Sequence, residues 1–134
     1  MAESAEPASL DGMTWEEFEM LVGEAYRRRG YQVVERGGSS ADDGLDLVLV
    51  KGGARYYVQF KQWKAVKVGV DVVRQLKRVI AAHGARGGVL VSSGRFTDAA
   101  TTFARRAGVN LVDGVELHSL IRGVRRSSSA GLIY

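Results

Sequence analysis

The chain has 134 residues, of which 46% are apolar, a composition that predicts one folded domain with a core and excludes an intrinsically disordered protein. It has no cysteine and no apolar run near the roughly 20 residues that span a bilayer. This excludes disulfides, thiolate metal sites and a membrane-spanning segment, and we predict a cytoplasmic protein. The net charge of +4 divides into −7 over residues 1–50 (4 basic, 11 acidic) and +11 over residues 51–134 (15 basic, 4 acidic), which favours a polyanionic partner such as nucleic acid.

The first half of the chain predicts a helix, a strand and a β-hairpin. Thr14 and Glu17 have the spacing of a capping box, and an apolar stripe with helical spacing continues from there until Gly30 stops the helix. A polar loop of turn-forming residues at 37–44 precedes two alternating apolar segments. The predicted elements are a flexible lead at residues 1–12, a helix from Thr14 to about Arg29, a strand from Tyr31 to Glu35, and hairpin strands at Leu45–Val50 and Arg55–Trp63.

The second half predicts strands and helices in alternation. The elements are a helix from Val70 to His83, a strand from Gly87 to Ser92, a helix capped by Thr97 and reaching Ala107, a strand from Val109 to Val112, a helix from Asp113 to Ile121, and a basic tail at residues 123–134. The order αβββαβαβα predicts an α/β fold, with one domain at residues 13–122. We expect a mixed sheet flanked by helices on both faces.

The hairpin brings three polar side chains together. A Gly-Gly pair at 52–53 between two apolar runs is typical of a two-residue turn. Counting outward from that turn places Asp46 opposite Gln59, and Lys61 follows on the same face. A carboxylate, an amide and an ammonium at the open end of a hairpin are typical of a metal-dependent phosphodiesterase. The alternative on spacing alone is a partly exposed Asp–Lys pair at a strand end.

Glu19 is a fourth candidate. It lies at the edge of the apolar stripe of the first helix, whereas Glu16, Glu17 and Glu24 lie on the opposite side. A carboxylate beside the core needs a partner, and the Asp46 cluster is one; a surface Lys or Arg is the alternative. Asp42 and Asp43 are either outer acids of the same site or caps of a turn.

The segment from Ser92 to Thr97 links a strand to the start of a helix. Its N–H groups, the helix dipole and Arg95 have the chemistry to hold a phosphate, and ordinary helix capping is the alternative. The spacing does not match a Walker A loop, so we do not expect mononucleotide binding.

Taken in order, these motifs resemble the Mrr-type restriction endonuclease domain of the PD-(D/E)XK nuclease superfamily over about residues 14–121. The similar segments are Phe18-Glu19, Gly30-Tyr31, Asp43–Leu47, Gln59–Lys61, Val68–Val70 with Val73 and Leu76, and Val91–Thr97 with Ala100, Phe103 and Ala104. Two positions depart from the broader superfamily: Leu45 stands where proline is frequent, and Gln59 replaces the second acid, a substitution usual in the Mrr branch.

The resemblance implies a DNA endonuclease that uses Mg²⁺ or Mn²⁺. Asp46 and the Phe60 carbonyl would hold the metal, with Gln59 either binding it or orienting its ligands. Glu19 would hold a metal-bound water or a second ion, and Lys61 would position or activate the attacking water. The residues expected to contact the DNA backbone are Lys64, Lys67, Arg74, Lys77, Arg78 and Arg95.

The resemblance also implies restriction, often of modified DNA, with a separate domain or subunit that reads the target. Two cuts in a duplex need two sites, so a homodimer is expected. The alternatives are a nuclease-fold module that binds DNA or protein without cutting, and a structure-selective nuclease such as a junction resolvase.

Overall fold

A five-stranded mixed sheet forms the centre of the computed structural model, which describes residues 15–35, 46–61 and 67–133. The strands are β1 (Gln32–Glu35), β2 (Leu47–Lys51), β3 (Ala54–Phe60), β4 (Lys67–Val68), β5 (Gly87–Val91), β6 (Arg95–Phe96) and β7 (Val109–Val112). The sheet has the order β1-β2-β3-β5-β7, antiparallel from β1 to β3 and parallel from β3 to β7. Strands β4 and β6 form a separate parallel pair.

Helices cover both faces of the sheet, as predicted. They are α1 (Trp15–Arg27), α2 (Val70–His83), α3 (Asp98–Ala107) and α4 (Gly114–Ile133). On one face, α1 and α4 bury an apolar cluster that includes Phe18 and Leu117. On the other face, α2 and α3 bury a second cluster that includes Leu76 and Ala104. Full burial of one large apolar side chain contributes roughly 1.5–3 kcal/mol, so the two clusters hold the helices firmly on the sheet.

The hairpin has the predicted turn and register. Gly52 and Gly53 have φ angles of 60° and 82°, which only glycine adopts without strain and which a two-residue turn requires. Lys51 pairs with Ala54. The regular ladder ends where Leu47 pairs with Val58, directly before Asp46. The predicted pairing of Asp46 with Gln59 is therefore wrong, because the Asp46 N–H bonds to Val58 instead.

Several predicted ends differ in the structure. The first helix ends at Arg27, β2 begins at Leu47 and β3 ends at Phe60. The two-residue strands β4 and β6 were not expected, since two residues are too few to show a period. Residues 1–12, Thr14, Asp42, Asp43 and Lys64 lie outside the described residues.

The last helix extends beyond its predicted end at Ile121. Helix α4 continues to Ile133. Val124 is 5% exposed, and its carbonyl accepts a hydrogen bond at 3.4 Å from Arg28, directly after α1. The packing of α4 against α1 therefore continues past Gly123. A single glycine inside a helix costs only about 1 kcal/mol, so it does not end α4. Within the three described segments, no helix combines the length and apolar character that crossing a bilayer requires.

Candidate active site

Asp46 lies at the end of the hairpin, where regular strand pairing stops. Its backbone N–H donates to the Val58 carbonyl at 2.9 Å, although the ladder partner of Val58 is Leu47. Pairing is thus displaced by one residue, as at a β-bulge, which redirects the side chain. The Oδ2 atom of Asp46 accepts a hydrogen bond from the Phe60 N–H at 2.8 Å. The carboxylate consequently lies across the end of β3.

The environment of Asp46 brings together three of the predicted site residues. Burial raises the pKa of Asp46, and three interactions oppose this shift: the hydrogen bond from Phe60, a side-chain hydrogen bond with Glu19, and the positive charge of Lys61. Glu19 and Lys61 are therefore both close to the Asp46 carboxyl group. A hydrogen bond between two carboxyl groups requires a proton on one of them, and a cation between them relieves the same repulsion.

Gln59 directly precedes Phe60 in β3 and is the fourth of the predicted site side chains. The residue is 9% exposed. Its Oε1 atom is buried and has no hydrogen-bond partner among the described residues. An unsatisfied buried acceptor costs about 1–3 kcal/mol, so this oxygen lowers the stability of the fold and has an electron pair free to bind a ligand.

Packing of α1 on β3 places Glu19 at the site. Phe18 is 1% exposed, and its ring lies edge-to-face on Phe60 with centroids 6.3 Å apart. Glu19, the next residue along the helix, is half-buried, while Glu16 and Glu17 are exposed. Glu19 projects about 100° around the helix from Phe18. Its interaction with the Asp46 carboxyl group shows that this side of α1 faces the site.

Lys61 is held by the backbone of the sheet. Its N–H donates to the Val91 carbonyl at 2.8 Å, which is a hydrogen bond of the last pair in the parallel ladder of β3 with β5. The residue is half-buried. A restrained backbone and partial burial keep its ammonium group beside Asp46.

The donor chemistry of this cluster fits a hard divalent cation. Two carboxylates, one amide oxygen and the nearby backbone carbonyls are oxygen donors of the type that Mg²⁺ and Mn²⁺ prefer. In the part of the chain that the structure describes, no three His, Cys, Asp or Glu side chains form a metal-binding group. Gln59 is the neutral oxygen donor among the predicted site side chains.

The predicted DNA-contacting cations differ in their surroundings. Arg74 pairs with Asp71 at 3.2 Å and lies over the ring of Phe103. Lys77 donates to the Ala107 carbonyl at 3.3 Å. The other three within the described residues are exposed, namely Lys67, Arg78 and Arg95.

The segment from Ser92 to Thr97 caps the start of a helix, which was the alternative to phosphate binding. The Oγ of Ser92 accepts from the Gly94 N–H at 3.0 Å. Thr97 is the N-cap of α3, and its Oγ1 accepts from the Ala100 N–H at 3.1 Å. These two N–H groups already have partners within the protein, which weakens the case for a phosphate at this helix start.

Two adjoining cavities lie away from the Asp46 cluster and were not anticipated from the sequence. Their volumes are about 240 and 280 Å³, and both are lined by Tyr26, Arg29 and Asn110. None of the four clustered residues lines either cavity. The bulge at Asp46 was also missed, because such a bulge has no residue signature.

Comparison with known proteins gives an independent view of this arrangement. The family model of the Mrr catalytic domain, described as restriction endonuclease, matches residues 10–121. The chain is 35% identical over 108 residues to the uncharacterized protein y4cE of Sinorhizobium fredii, covering 74% of this chain and 27% of that protein. It is 32% identical over 112 residues to the type IV methyl-directed restriction enzyme EcoKMrr of Escherichia coli, covering 78% and 36%. The chain thus spans between about a quarter and little more than a third of these curated relatives.

Solved structures share the fold at lower identity. A protein of unknown function, AF1548, superposes with a TM-score of 0.63 at 17% identity, covering 80% of this chain and 65% of that one. The MspJI restriction endonuclease, solved with a 27-mer oligonucleotide, gives a TM-score of 0.59 at 24% identity, covering 91% and 32%. A repair endonuclease from Pyrococcus abyssi gives 0.51 at 20% identity, covering 74% and 46%.

Proposed function

Because the chain belongs to the restriction endonuclease family of the Mrr catalytic domain, we propose that it is an endonuclease domain that hydrolyses DNA phosphodiester bonds with Mg²⁺ or Mn²⁺. The observation that carries this proposal is the Asp46 carboxylate, which accepts from the Phe60 N–H at 2.8 Å and interacts with the Glu19 carboxyl group and the charge of Lys61. Two acids held together next to a cationic side chain are suited to binding a metal ion and a phosphate.

Four oxygen donors would hold the metal. They come from Asp46, Glu19, Gln59 and the Phe60 carbonyl. The N–H and C=O of one strand residue point to the same side, and the Phe60 N–H bonds to Asp46, which supports a role for its carbonyl. When bound, the cation lowers the pKa of a water molecule and neutralises charge on the phosphate. With only two acids, we expect weaker metal binding than at a site with three.

The protein itself supplies a positioned ammonium group. Lys61 orients the attacking water, and its charge offsets the negative charge that develops on the phosphate. Lys67, Arg78 and Arg95 contact the DNA backbone, and Lys64 is proposed for the same role. Arg74 and Lys77 already have partners within the protein, so we expect smaller contributions from them.

Nicking of supercoiled plasmid tests the proposal, with Mg²⁺, with Mn²⁺ and with EDTA. We expect Asp46→Ala and Lys61→Ala to lower the rate by about 100-fold or more, because each removes charge stabilisation from the transition state. Glu19→Gln should also lower it. Glu16→Gln is the matched control, since Glu16 is exposed on the same helix. Equal nicking by Asp46→Ala and the wild type would refute the site.

The replacement of the second acid by Gln59 favours one alternative, a module that binds DNA or protein without cutting. Metal-independent DNA binding without nicking would support that module. A structure-selective nuclease is distinguished by adding four-way junctions to the assay, since its products would be confined to them.

We also propose how the domain assembles and where it acts. We propose a homodimer, because two active sites are needed to cut both strands. A target-reading domain or subunit is proposed because the region shared with this chain makes up only 27% and 36% of the two curated relatives. We also predict a cytoplasmic location.

A further inference from the structure

The short parallel pair of β4 and β6 holds two cations side by side. Lys67 pairs with Arg95, and Val68 pairs with Phe96. Val68 is 3% exposed, and Phe96 packs on the cluster beneath α2 and α3. Successive strand residues point to opposite faces, so Lys67 and Arg95 share the outer face, where both are exposed.

The backbone of this pair is fixed at several points. The Thr97 N–H donates to the Val68 carbonyl at 3.0 Å. The Gly114 N–H, at the start of α4, donates to the Gly94 carbonyl at 2.9 Å, and a Cβ at Gly114 would collide with the Ser93 carbonyl. Because the framework is rigid, little backbone entropy is lost when a ligand engages the two side chains.

The pair lies at the end of the sheet that carries the Asp46 cluster. Strand β4 follows β3 along the chain and β6 follows β5, and β3 and β5 are parallel neighbours. The ladder between them ends at Phe60 and Val91, with Lys61 next in the chain. The cationic pair is therefore built from the two segments that leave this end.

Among the described residues, no carboxylate compensates the charge of this pair. Neighbouring strands are about 5 Å apart, so two side chains of like charge leave the same face from adjacent backbone positions. In the described parts of the chain, neither Lys67 nor Arg95 has a carboxylate within ion-pair distance. Arg74, by contrast, pairs with Asp71. An anion placed over the pair would relieve the repulsion.

We propose that Lys67 and Arg95 form a two-cation clamp for the phosphodiester backbone of the DNA strand that enters the Asp46 site, an inference that rests on the proposed function. The clamp binds phosphates and not bases, so its contribution is independent of sequence and sensitive to salt. The helix cations Arg74 and Lys77 add little to it.

Salt dependence of DNA binding tests the clamp in the full chain. A fluorescent duplex is titrated in EDTA between 50 and 200 mM salt with the wild type and with Lys67→Gln/Arg95→Gln. Each phosphate contact contributes about 0.9 to the slope of log affinity against log salt, so the slope should fall by about 2. Over this range the wild type should lose roughly tenfold more affinity than the variant. An unchanged slope would overturn the clamp.

Two controls separate the clamp from bulk charge and from misfolding. Arg105→Gln/Arg106→Gln removes two exposed cations from the last turn of α3 and should leave the slope unchanged; an equal fall would overturn the clamp. Acetylation of the wild type needs no variant: DNA should protect Lys67 several-fold and leave Lys51, at the hairpin turn, unprotected. Equal modification of Lys67 with and without DNA would overturn the clamp.

The outcomes for the clamp and for the nuclease are independent. A wild type that nicks plasmid while the Gln variant keeps its slope would refute the clamp and leave the nuclease standing. A wild type that does not nick with any metal, but whose slope falls in the variant, would support the clamp and refute the nuclease.

Discussion

Gln59 places an unsatisfied oxygen in the protein interior, and a single substitution tests what this does to stability. Gln59→Met keeps the length of the side chain and removes an acceptor that has no partner among the described residues. We expect the free energy of unfolding in EDTA to rise by about 1 kcal/mol, since a buried unsatisfied group is lost. Plasmid nicking should fall, because a metal ligand is lost with it. Urea unfolding measures the first effect, and lower stability in EDTA would contradict the assignment.

Asp46 gives a prediction about pH. Burial raises the pKa of Asp46 above its ordinary value of 3.8, so the folded protein binds this proton more tightly than the unfolded chain. The resulting stabilisation is complete below the unfolded pKa and is lost as pH rises through the folded pKa. In EDTA, Asp46→Asn should therefore melt higher than the wild type at pH 7, and the difference should shrink as pH approaches 3.8. Equal melting temperatures at pH 7 would count against burial as the dominant effect.

At the scale of elements, the extension of α4 predicts where the domain can be shortened. A chain that ends at Arg122 loses buried Val124 and the hydrogen bond from Arg28, whereas one that ends at Val124 keeps the side chain. We expect the shorter chain to be less stable by about 2 kcal/mol, the sum of one buried valine and one hydrogen bond. Chemical unfolding of the two truncated proteins measures this difference. Equal stability would mean that the packing of α4 on α1 ends before Val124.

Elements also differ in how well they could be predicted. Helix α2 has the predicted ends because its apolar residues recur at helical spacing over 14 residues. The hairpin register was predictable because Gly52 and Gly53 determine the turn and the turn determines the pairing. Strands β4 and β6 were not, since a two-residue strand forms only when distant segments meet.

At the scale of the whole molecule, metal binding should increase the stability of the folded protein. A ligand that binds only the folded state stabilises it by about 2.7 kcal/mol at 100 times its dissociation constant. We expect Mg²⁺ or Mn²⁺ to raise the melting temperature of the wild type, and EDTA to reverse the rise. Asp46→Ala should not respond, while Glu16→Gln should respond like the wild type. An equal shift for Asp46→Ala would place the metal elsewhere.

The sequence by itself determined the local structure and the chemical inventory: the glycine turn, the main helices, and the residues Glu19, Asp46, Gln59 and Lys61. These follow from backbone geometry and side-chain periodicity over short stretches. Only the tertiary structure decided that the displaced pairing at Asp46 turns its carboxylate to the Phe60 N–H and to Glu19. It also decided that Lys67 meets Arg95. Such contacts join segments far apart in the chain, and they depend on how helices and strands pack, which no local pattern specifies.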